Sequence, residues 1–132
     1  MSTKISVKDF LPKLVGRGIW HYMHSVAYSA DSRQDIISLY HTILLYNRKI
    51  RCEECKEHSN NYIDETYGFV SGFLRDEALT DSEVINTFND WLYDYHYNAN
   101  IFAGKDPSTF PSKEDVAEFY LSDETCNSDC AN

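Results

Sequence analysis

Apolar residues recur at helical spacing along most of this chain. The pattern predicts a first helix over residues 13–29, with an apolar stripe made by Leu14, Ile19, Met23 and Val26. A second helix is expected to be capped by Ser32 and to continue to about Asn47. Its inward side is strongly apolar and consists of Ile36, Leu39, Tyr40, Ile43, Leu44 and Tyr46. Two adjacent amphipathic helices are therefore predicted in the N-terminal part of the chain.

A third helical segment follows a short basic link. It is expected to run from Cys52 to about Tyr67. Residues 68–80 contain Gly68 and Gly72 and are predicted to form an irregular connection with at most a short turn of helix.

The C-terminal half predicts one long helix and one short helix. Asp81 or Ser82 is expected to cap the fourth helix, and Gly104 is expected to end it. Its inward positions are predicted to be Val84, Phe88, Trp91, Tyr95 and Phe102. After a loop at residues 106–111, a fifth helix is expected from Ser112 to Tyr120.

No segment alternates between polar and apolar residues as a strand does, and no hairpin signal is present. The sequence thus predicts an all-α fold, a four-helix bundle with a short fifth helix packed across it. Residues 1–12 are expected to form a lead-in, residues 13–121 the domain, and residues 122–132 a flexible acidic tail.

Composition narrows the class of protein. A chain of 132 residues with 42% apolar and 14% aromatic residues can bury one core, so intrinsic disorder is not expected. The formal net charge of −9 argues against a nucleic-acid partner. No apolar run of about 20 residues is present, so no membrane span is expected. Residues 1–9 lack the apolar core of a secretory signal, so classical secretion is not expected.

The four cysteines form two tight pairs, Cys52/Cys55 and Cys126/Cys130. Either pair would close only a short loop and would stabilise the fold little, so the spacing suits chemistry better than scaffolding. A Cys-x-x-Cys on the first turn of a helix can close into a disulfide and open again. The helix end and the cations Arg48, Lys49, Arg51 and Lys56 favour the thiolate, which lowers a free thiol's pKa from about 8.5 into the range of roughly 3.5–7.5. The neighbouring anions Glu53 and Glu54 oppose this effect and raise the pKa.

A stripe of unusual composition runs along the first predicted helix. Arg17, Trp20, His24 and Tyr28 stand at positions i, i+3, i+7 and i+11 and therefore share one face. Such a face suits a flat aromatic cofactor, which needs rings to stack on and a few fixed polar groups. The alternative is a stripe at the edge of the core whose polar tips reach water.

Three motifs occur in order on three of the predicted helices. They are Gly16-Arg17-x-x-Trp20-x-x-x-His24, Cys52-Glu53-Glu54-Cys55-x-x-His58 and Trp91-x-x-x-x-His96-x-x-x-Asn100. Over about residues 13–120 the chain thereby resembles the Erv/ALR family of FAD-dependent sulfhydryl oxidases. The resemblance implies a homodimeric helical bundle that holds FAD in its mouth, with the Cys-x-x-Cys beside the flavin. It also implies that two thiols and oxygen give a disulfide and hydrogen peroxide.

The resemblance assigns roles by position. Cys55 matches the thiol next to the isoalloxazine, and Cys52 matches the outer thiol that receives electrons from the substrate. The positions that match FAD-binding residues are Gly16, Arg17, Trp20, His24, Tyr28, Cys55, His58, Trp91, His96, Ala99, Asn100, Lys105 and Tyr120. No metal ion is implied.

The chain departs from the family pattern in several places. Tyr97 stands where the family has asparagine after the histidine, with Asn98 following it. Two extra residues lie between Lys105 and Phe110, and Tyr120 replaces a late tryptophan. The additional structural disulfide of cellular members is missing. That absence resembles the branch carried by large DNA viruses and favours an infected cell's cytoplasm or a virion, with the mitochondrial intermembrane space as the other compartment.

The tail pair Cys126/Cys130 has two interpretations. The resemblance implies a shuttle that accepts electrons from protein thiols, with a thioredoxin-like carrier as one candidate substrate, and passes them to the inner pair. The alternative is a disulfide without a function in electron transfer.

Two other classes of function stay open at this point. Cys52, Cys55, Cys126 and Cys130, or His58 in place of one thiol, allow a tetrahedral zinc site in a helical interaction module. A helical protein-binding domain with four ordinary thiols is the third hypothesis.

Overall fold

The computed structural model of the protein describes residues 16–122, and it describes side chains from residue 18 onward. The described residues form five α-helices and one 3-10 turn, without a strand. The helices are α1 (Gly16–Ser29), α2 (Arg33–Lys49), α3 (Glu53–Arg75), α4 (Asp81–Phe102) and α5 (Lys113–Leu121), and the 3-10 turn is Pro107–Thr109. The predicted all-α fold is confirmed for these residues. The predicted lead-in and the tail pair Cys126/Cys130 lie outside them.

Side-chain caps begin the helices where the chain leaves an extended residue. The hydroxyl of Ser32 accepts a hydrogen bond from the backbone N–H of Asp35 at 3.2 Å, as predicted for α2. The cap of α4 differs from the prediction of Asp81 or Ser82, because Thr80 occupies that position. Thr80 and Glu83 each accept the other's backbone N–H at 3.1 Å, which forms a complete capping box.

Helix α3 is longer than predicted. It continues through Gly68 and Gly72 to Arg75, so the expected irregular connection is reduced to residues 76–80. Each glycine inside a helix costs about 0.5–1 kcal/mol relative to alanine. The extra turns bury Val70, Phe73 and Leu74, each worth about 1.5–3 kcal/mol when fully buried. Burial therefore outweighs the backbone preference of the two glycines.

Helices α1 to α4 pack around one core, and helices adjacent in sequence contact each other. α1 also contacts α4, so the four helices enclose the core, and α5 packs against α1. Val84, Phe88, Trp91 and Tyr95 point inward on α4 as predicted. Phe102 does not, because it lies in the last turn, beyond the core, and is 46% exposed. Gly104, with a φ of +81°, ends this segment in the left-handed conformation that favours glycine.

A buried polar cluster joins three helices near the end that carries the Cys-x-x-Cys. The side-chain oxygen of Asn47 on α2 accepts hydrogen bonds from the hydroxyls of Ser59 on α3 and Tyr95 on α4. The two hydroxyls also contact each other. Because all three side chains are buried and paired, the cluster fixes how the start of α3 sits against α2 and α4.

Arg33 holds the opposite end of α3. Its guanidinium donates to the carbonyls of Leu74, Asp76 and Leu79 at distances of 3.0, 2.9 and 2.6 Å. These carbonyls lie at and just beyond the end of α3, where a helix leaves its last acceptors without partners. One side chain thereby ties α2 to the turn between α3 and α4.

None of the helices within residues 16–122 combines the length and the apolar character that a membrane span requires.

Candidate active site

The Cys-x-x-Cys lies at the exposed start of α3. Cys52 is the residue that caps the helix and Cys55 is on its first turn, and the two form a disulfide with their Cα atoms 5.2 Å apart. The backbone N–H of Cys55 points to Sγ of Cys52 at 3.3 Å. Both cysteines are exposed, so an incoming thiolate has access to the sulfur atoms. The position at a helix N-terminus also stabilises the thiolate that leaves when the disulfide opens.

Two histidines from different helices meet in the interior. His24 on α1 is 4% exposed, and its Nε2 lies 3.0 Å from Nδ1 of His96 on α4. Burial, with a smaller contribution from His21, lowers the pKa of His24 to about 4. Burial is the main cause that lowers the pKa of His96 to about 3, and the charges of His24 and Lys105 make smaller contributions. Both imidazoles are therefore neutral near pH 7. One ring donates its N–H in the hydrogen bond between them, and the other ring accepts it.

Aromatic rings cover this imidazole pair. The indole of Trp20 stacks on His96 with ring centroids 4.1 Å apart and planes inclined by 7°. Tyr28 stacks on Tyr120 of α5 with ring centroids 5.6 Å apart and planes inclined by 2°. Three residues of the predicted stripe on α1 thus gather with His96 and Tyr120. We call the five side chains Trp20, His24, Tyr28, His96 and Tyr120 the ring cluster.

A cavity of about 390 Å³ adjoins the ring cluster between α4 and α5. Asn100, a predicted site residue, lines it together with His24, His96 and Tyr120. The other lining residues were not predicted as site residues, and they are Tyr93, Tyr97, Phe110, Pro111, Asp115, Val116 and Phe119. Tyr93 and Tyr97 share one face of α4 with His96 and Asn100, at helical spacing. That spacing was the sequence signal that could have identified them.

His58 lies on the other side of α4. Its Nε2 is 3.0 Å from Oδ1 of Asn98, and its ring stacks on Phe102 with centroids 4.1 Å apart. Asn98 is two residues beyond His96, which is about 200° around a helix of 3.6 residues per turn. The motifs on α3 and α4 therefore do not all face one cavity. His58 belongs to the disulfide side, and His96 belongs to the ring cluster.

Tyr95 and Trp20 connect the two sides. Tyr95 contacts Ser59, which lies one turn after Cys55, and its ring meets the edge of Trp20 at a centroid distance of 5.0 Å. Trp20 in turn stacks on His96. Because one helical turn rises about 5.4 Å, the disulfide lies about one turn closer to the exposed end than Ser59 and Tyr95.

The remaining predicted site residues lie in varied surroundings. Trp91 is buried in the core and donates through Nε1 to the hydroxyl of Thr66 at 3.1 Å. Ala99 is partly buried on α4, and Lys105 is exposed just past its end. Gly16 and Arg17 begin α1, and the side chain of Arg17 lies outside the described part of the structure.

The lining of the cavity suits a flat aromatic group. Nδ1 of His24 is buried without a hydrogen-bond partner among the described residues, and the cavity beside it is lined mostly by aromatic rings. Within the same residues no group of three or more His, Cys, Asp or Glu side chains could hold a metal ion. A zinc site of four cysteines would require Cys126 and Cys130, which are not described. The zinc hypothesis therefore stays a prediction.

Comparison of this chain with family models, with curated proteins and with solved structures finds no match.

Proposed function

We propose that this protein is an FAD-linked sulfhydryl oxidase of the Erv/ALR type. It forms disulfides in protein substrates, passes their electrons through Cys52 and Cys55 and FAD to oxygen, and produces hydrogen peroxide. One observation carries the proposal. An exposed disulfide at a helix N-terminus lies about one helical turn from Ser59 and Tyr95, and the ring of Tyr95 contacts Trp20 of a ring cluster built on a pair of neutral histidines.

The first chemical step needs only sulfur atoms. A substrate thiolate attacks Sγ of Cys52, a new disulfide bond forms, and the Cys52–Cys55 bond breaks so that Cys55 leaves with the electron pair. The second substrate thiol loses its proton and attacks the substrate sulfur of this mixed disulfide, which releases Cys52 as a thiolate. Two electrons have then moved from the substrate dithiol to the cysteine pair, and the substrate has gained a disulfide. Access to Cys52 and the helix end beside Cys55 support this order of events.

The ring cluster and the cavity are the groups that would hold FAD. Flat rings and neutral imidazoles suit a planar aromatic system, and the unpartnered Nδ1 of His24 is available to a ligand group. Asn100 lines the cavity, and Lys105 just beyond it is the residue suited to a phosphate group. The chemistry that bound FAD supplies is acceptance of the electron pair and its delivery to oxygen. The chain's own part is to orient the cofactor and to keep water from it.

The protein is a homodimer of four-helix bundles, each holding FAD near its exposed end, and the tail pair Cys126/Cys130 shuttles electrons from substrate thiols. Its substrates are protein dithiols, such as those of a thioredoxin-like carrier. The absence of the additional structural disulfide of cellular family members favours a viral origin and a place in the infected cell's cytoplasm or in the virion.

An absorption spectrum and an oxygen electrode test the proposal together. The purified full-length protein is expected to be yellow, with flavin absorption, and to consume oxygen when reduced dithiothreitol is added. A colourless protein that releases zinc to a chelator would replace the proposal by the zinc module. A colourless, metal-free protein with inert thiols would leave only a helical binding domain.

A further inference from the structure

Three positive side chains shortly precede the disulfide in the sequence of a protein that is acidic as a whole. The formal net charge is −9, yet α2 ends with Arg48 and Lys49, and Arg51 directly precedes Cys52. All three cations are exposed, and none forms a salt bridge within residues 18–122. We call Arg48, Lys49 and Arg51 the cationic rim. Because no carboxylate neutralises it there, the rim is available to a partner.

The carboxylates close to the disulfide in sequence are turned away from the inward side of α3. Ser59 is buried and marks the inward side of this helix, and the disulfide precedes it by one to two turns on that side. The helix geometry turns three exposed glutamates about 120–160° away from Ser59, and these are Glu53, Glu54 and Glu57. Glu53 also pairs with Lys56 at 3.6 Å. The cationic rim that precedes Cys52 and the helix N-terminus both contribute positive potential near the sulfur atoms, and Lys56 offsets the charge of Glu53.

We propose that the cationic rim selects substrates whose cysteine pair is flanked by Asp or Glu residues. This inference rests on the proposed function, since it names the class of dithiol that exchanges with Cys52–Cys55. An acidic segment from a second protein would be attracted to the rim and would bring its thiolate to the exposed Sγ of Cys52. Electrostatic attraction of this kind raises association rates by about 10–10³-fold and weakens with salt.

The selectivity acts on the exchange step alone. The substrate thiolate forms a bond to Sγ of Cys52 while Cys55 leaves as a thiolate, and the second substrate thiol then releases Cys52. The oxidant in this exchange is the Cys52–Cys55 disulfide itself, so a single turnover requires no other acceptor. Selectivity can thus be measured whether or not flavin is bound.

The test compares two synthetic peptides that share one Cys-x-x-Cys and differ only in four flanking residues, all Asp in one and all Lys in the other. Oxidised full-length protein is mixed anaerobically with each reduced peptide. Acid quenching and mass spectrometry then give the rate at which Cys52–Cys55 is reduced. The rim variant carries Arg48→Gln, Lys49→Gln and Arg51→Gln. The control is Arg75→Gln, an exposed cation at the other end of α3, about 30 Å away at 1.5 Å per residue.

Because each peptide's own thiol reactivity is the same for every variant, the comparison uses the ratio of the acidic to the basic peptide's rate. We expect the rim variant to lower this ratio by at least about tenfold at 0.01 M salt, where the Debye length is about 30 Å. The Arg75→Gln variant should keep the ratio of the wild type. At 0.15 M salt the Debye length falls to about 8 Å, and the wild-type ratio should fall with it.

Two results would overturn the inference. One is an equal ratio in the rim variant and in the Arg75→Gln control while both keep the wild-type melting temperature. The other is a ratio that depends on the rim in the wild type but not in a Cys126→Ser, Cys130→Ser chain, since the cations would then serve the protein's own tail. Failure of the proposed function gives a different result, namely no flavin absorption and no oxygen uptake with dithiothreitol.

Discussion

Nε2 of His24 and Nδ1 of His96 lie 3.0 Å apart inside the protein, so that two neutral imidazoles share one hydrogen bond. Each ring comes from a different helix, and Trp20 stacks directly on His96. Protonating both rings would place two positive charges at hydrogen-bond distance in an environment that disfavours even one. The pair is therefore a sensitive point of the fold as well as the centre of the ring cluster.

Acid is expected to destabilise the protein through this pair. Both folded-state pKa values, about 4 for His24 and about 3 for His96, lie below the ordinary 6.5, so the unfolded chain binds more protons below pH 6.5. Stability is fully present above about pH 6.5 and falls as pH drops toward these folded values. Each histidine contributes at most about 1.4 kcal/mol per pH unit to this slope.

Urea denaturation at a series of pH values between 7.5 and 4.5 measures the effect. His24→Gln should flatten the pH dependence of the free energy of unfolding, because one of the two sites no longer titrates. His41→Gln, which removes an exposed histidine on α2, is the control and should retain the wild-type slope. Identical slopes in both variants would show that His24 does not contribute to the acid sensitivity.

Replacing Cys55 by serine is expected to abolish oxygen consumption with any thiol substrate. A hydroxyl cannot form the disulfide, so electrons delivered to Cys52 have no path to the cofactor. The visible spectrum of the purified variant should still show bound flavin, because the ring cluster is unchanged. Turnover retained in the oxygen electrode would disprove the role assigned to Cys55.

Trp20→Ala should weaken the retention of flavin. The indole stacks on His96 and also meets Tyr95, so its loss removes an aromatic face and loosens the ring cluster. Aromatic pairs are worth about 0.5–1.5 kcal/mol beyond the area they bury, which corresponds to roughly a two- to tenfold weaker flavin affinity from this contribution alone. Equilibrium dialysis measures the change.

Tyr22→Ala, which alters an exposed aromatic residue on the same helix, is the matched control. It should leave flavin affinity unchanged, because Tyr22 does not line the cavity beside the ring cluster. Equal losses in the two variants would mean that α1 responds to any aromatic deletion and that Trp20 has no particular role.

Arg33→Ala is expected to destabilise the fold by about 3 kcal/mol. The change removes three charge-assisted hydrogen bonds and leaves the partly buried carbonyls of Leu74 and Leu79 short of a donor. Arg33→Lys should recover only part of this, since an ammonium group lacks the planar fork of donors. Chemical denaturation gives the free energies, with the exposed Gln34→Ala as control. A loss below about 0.5 kcal/mol for Arg33→Ala would mean that water replaces these bonds without cost.

Much of the helical architecture was predictable because the signals are local. The spacing of apolar residues located all five helices, and Ser32 and Ser112 were recognisable as caps. The errors arose where tertiary contacts decide. Gly68 and Gly72 predicted an irregular connection, yet packing of the residues beyond them keeps α3 helical to Arg75. Phe102 was predicted to point inward, because the helical spacing of apolar residues continues past the point where the core ends.

The sequence by itself determined the helices, the placement of Cys52 and Cys55 at the start of one of them, and the shared face of Trp20, His24 and Tyr28. It determined these because a helix repeats every 3.6 residues and a cap acts within its first turn. Only the tertiary structure decided which helix covers each face. In that structure His96 contacts His24, and His58 contacts Asn98 on the other side of α4. A cavity also lies between α4 and α5. Periodicity states which residues point the same way, whereas the packing of side chains from distant helices selects what they meet.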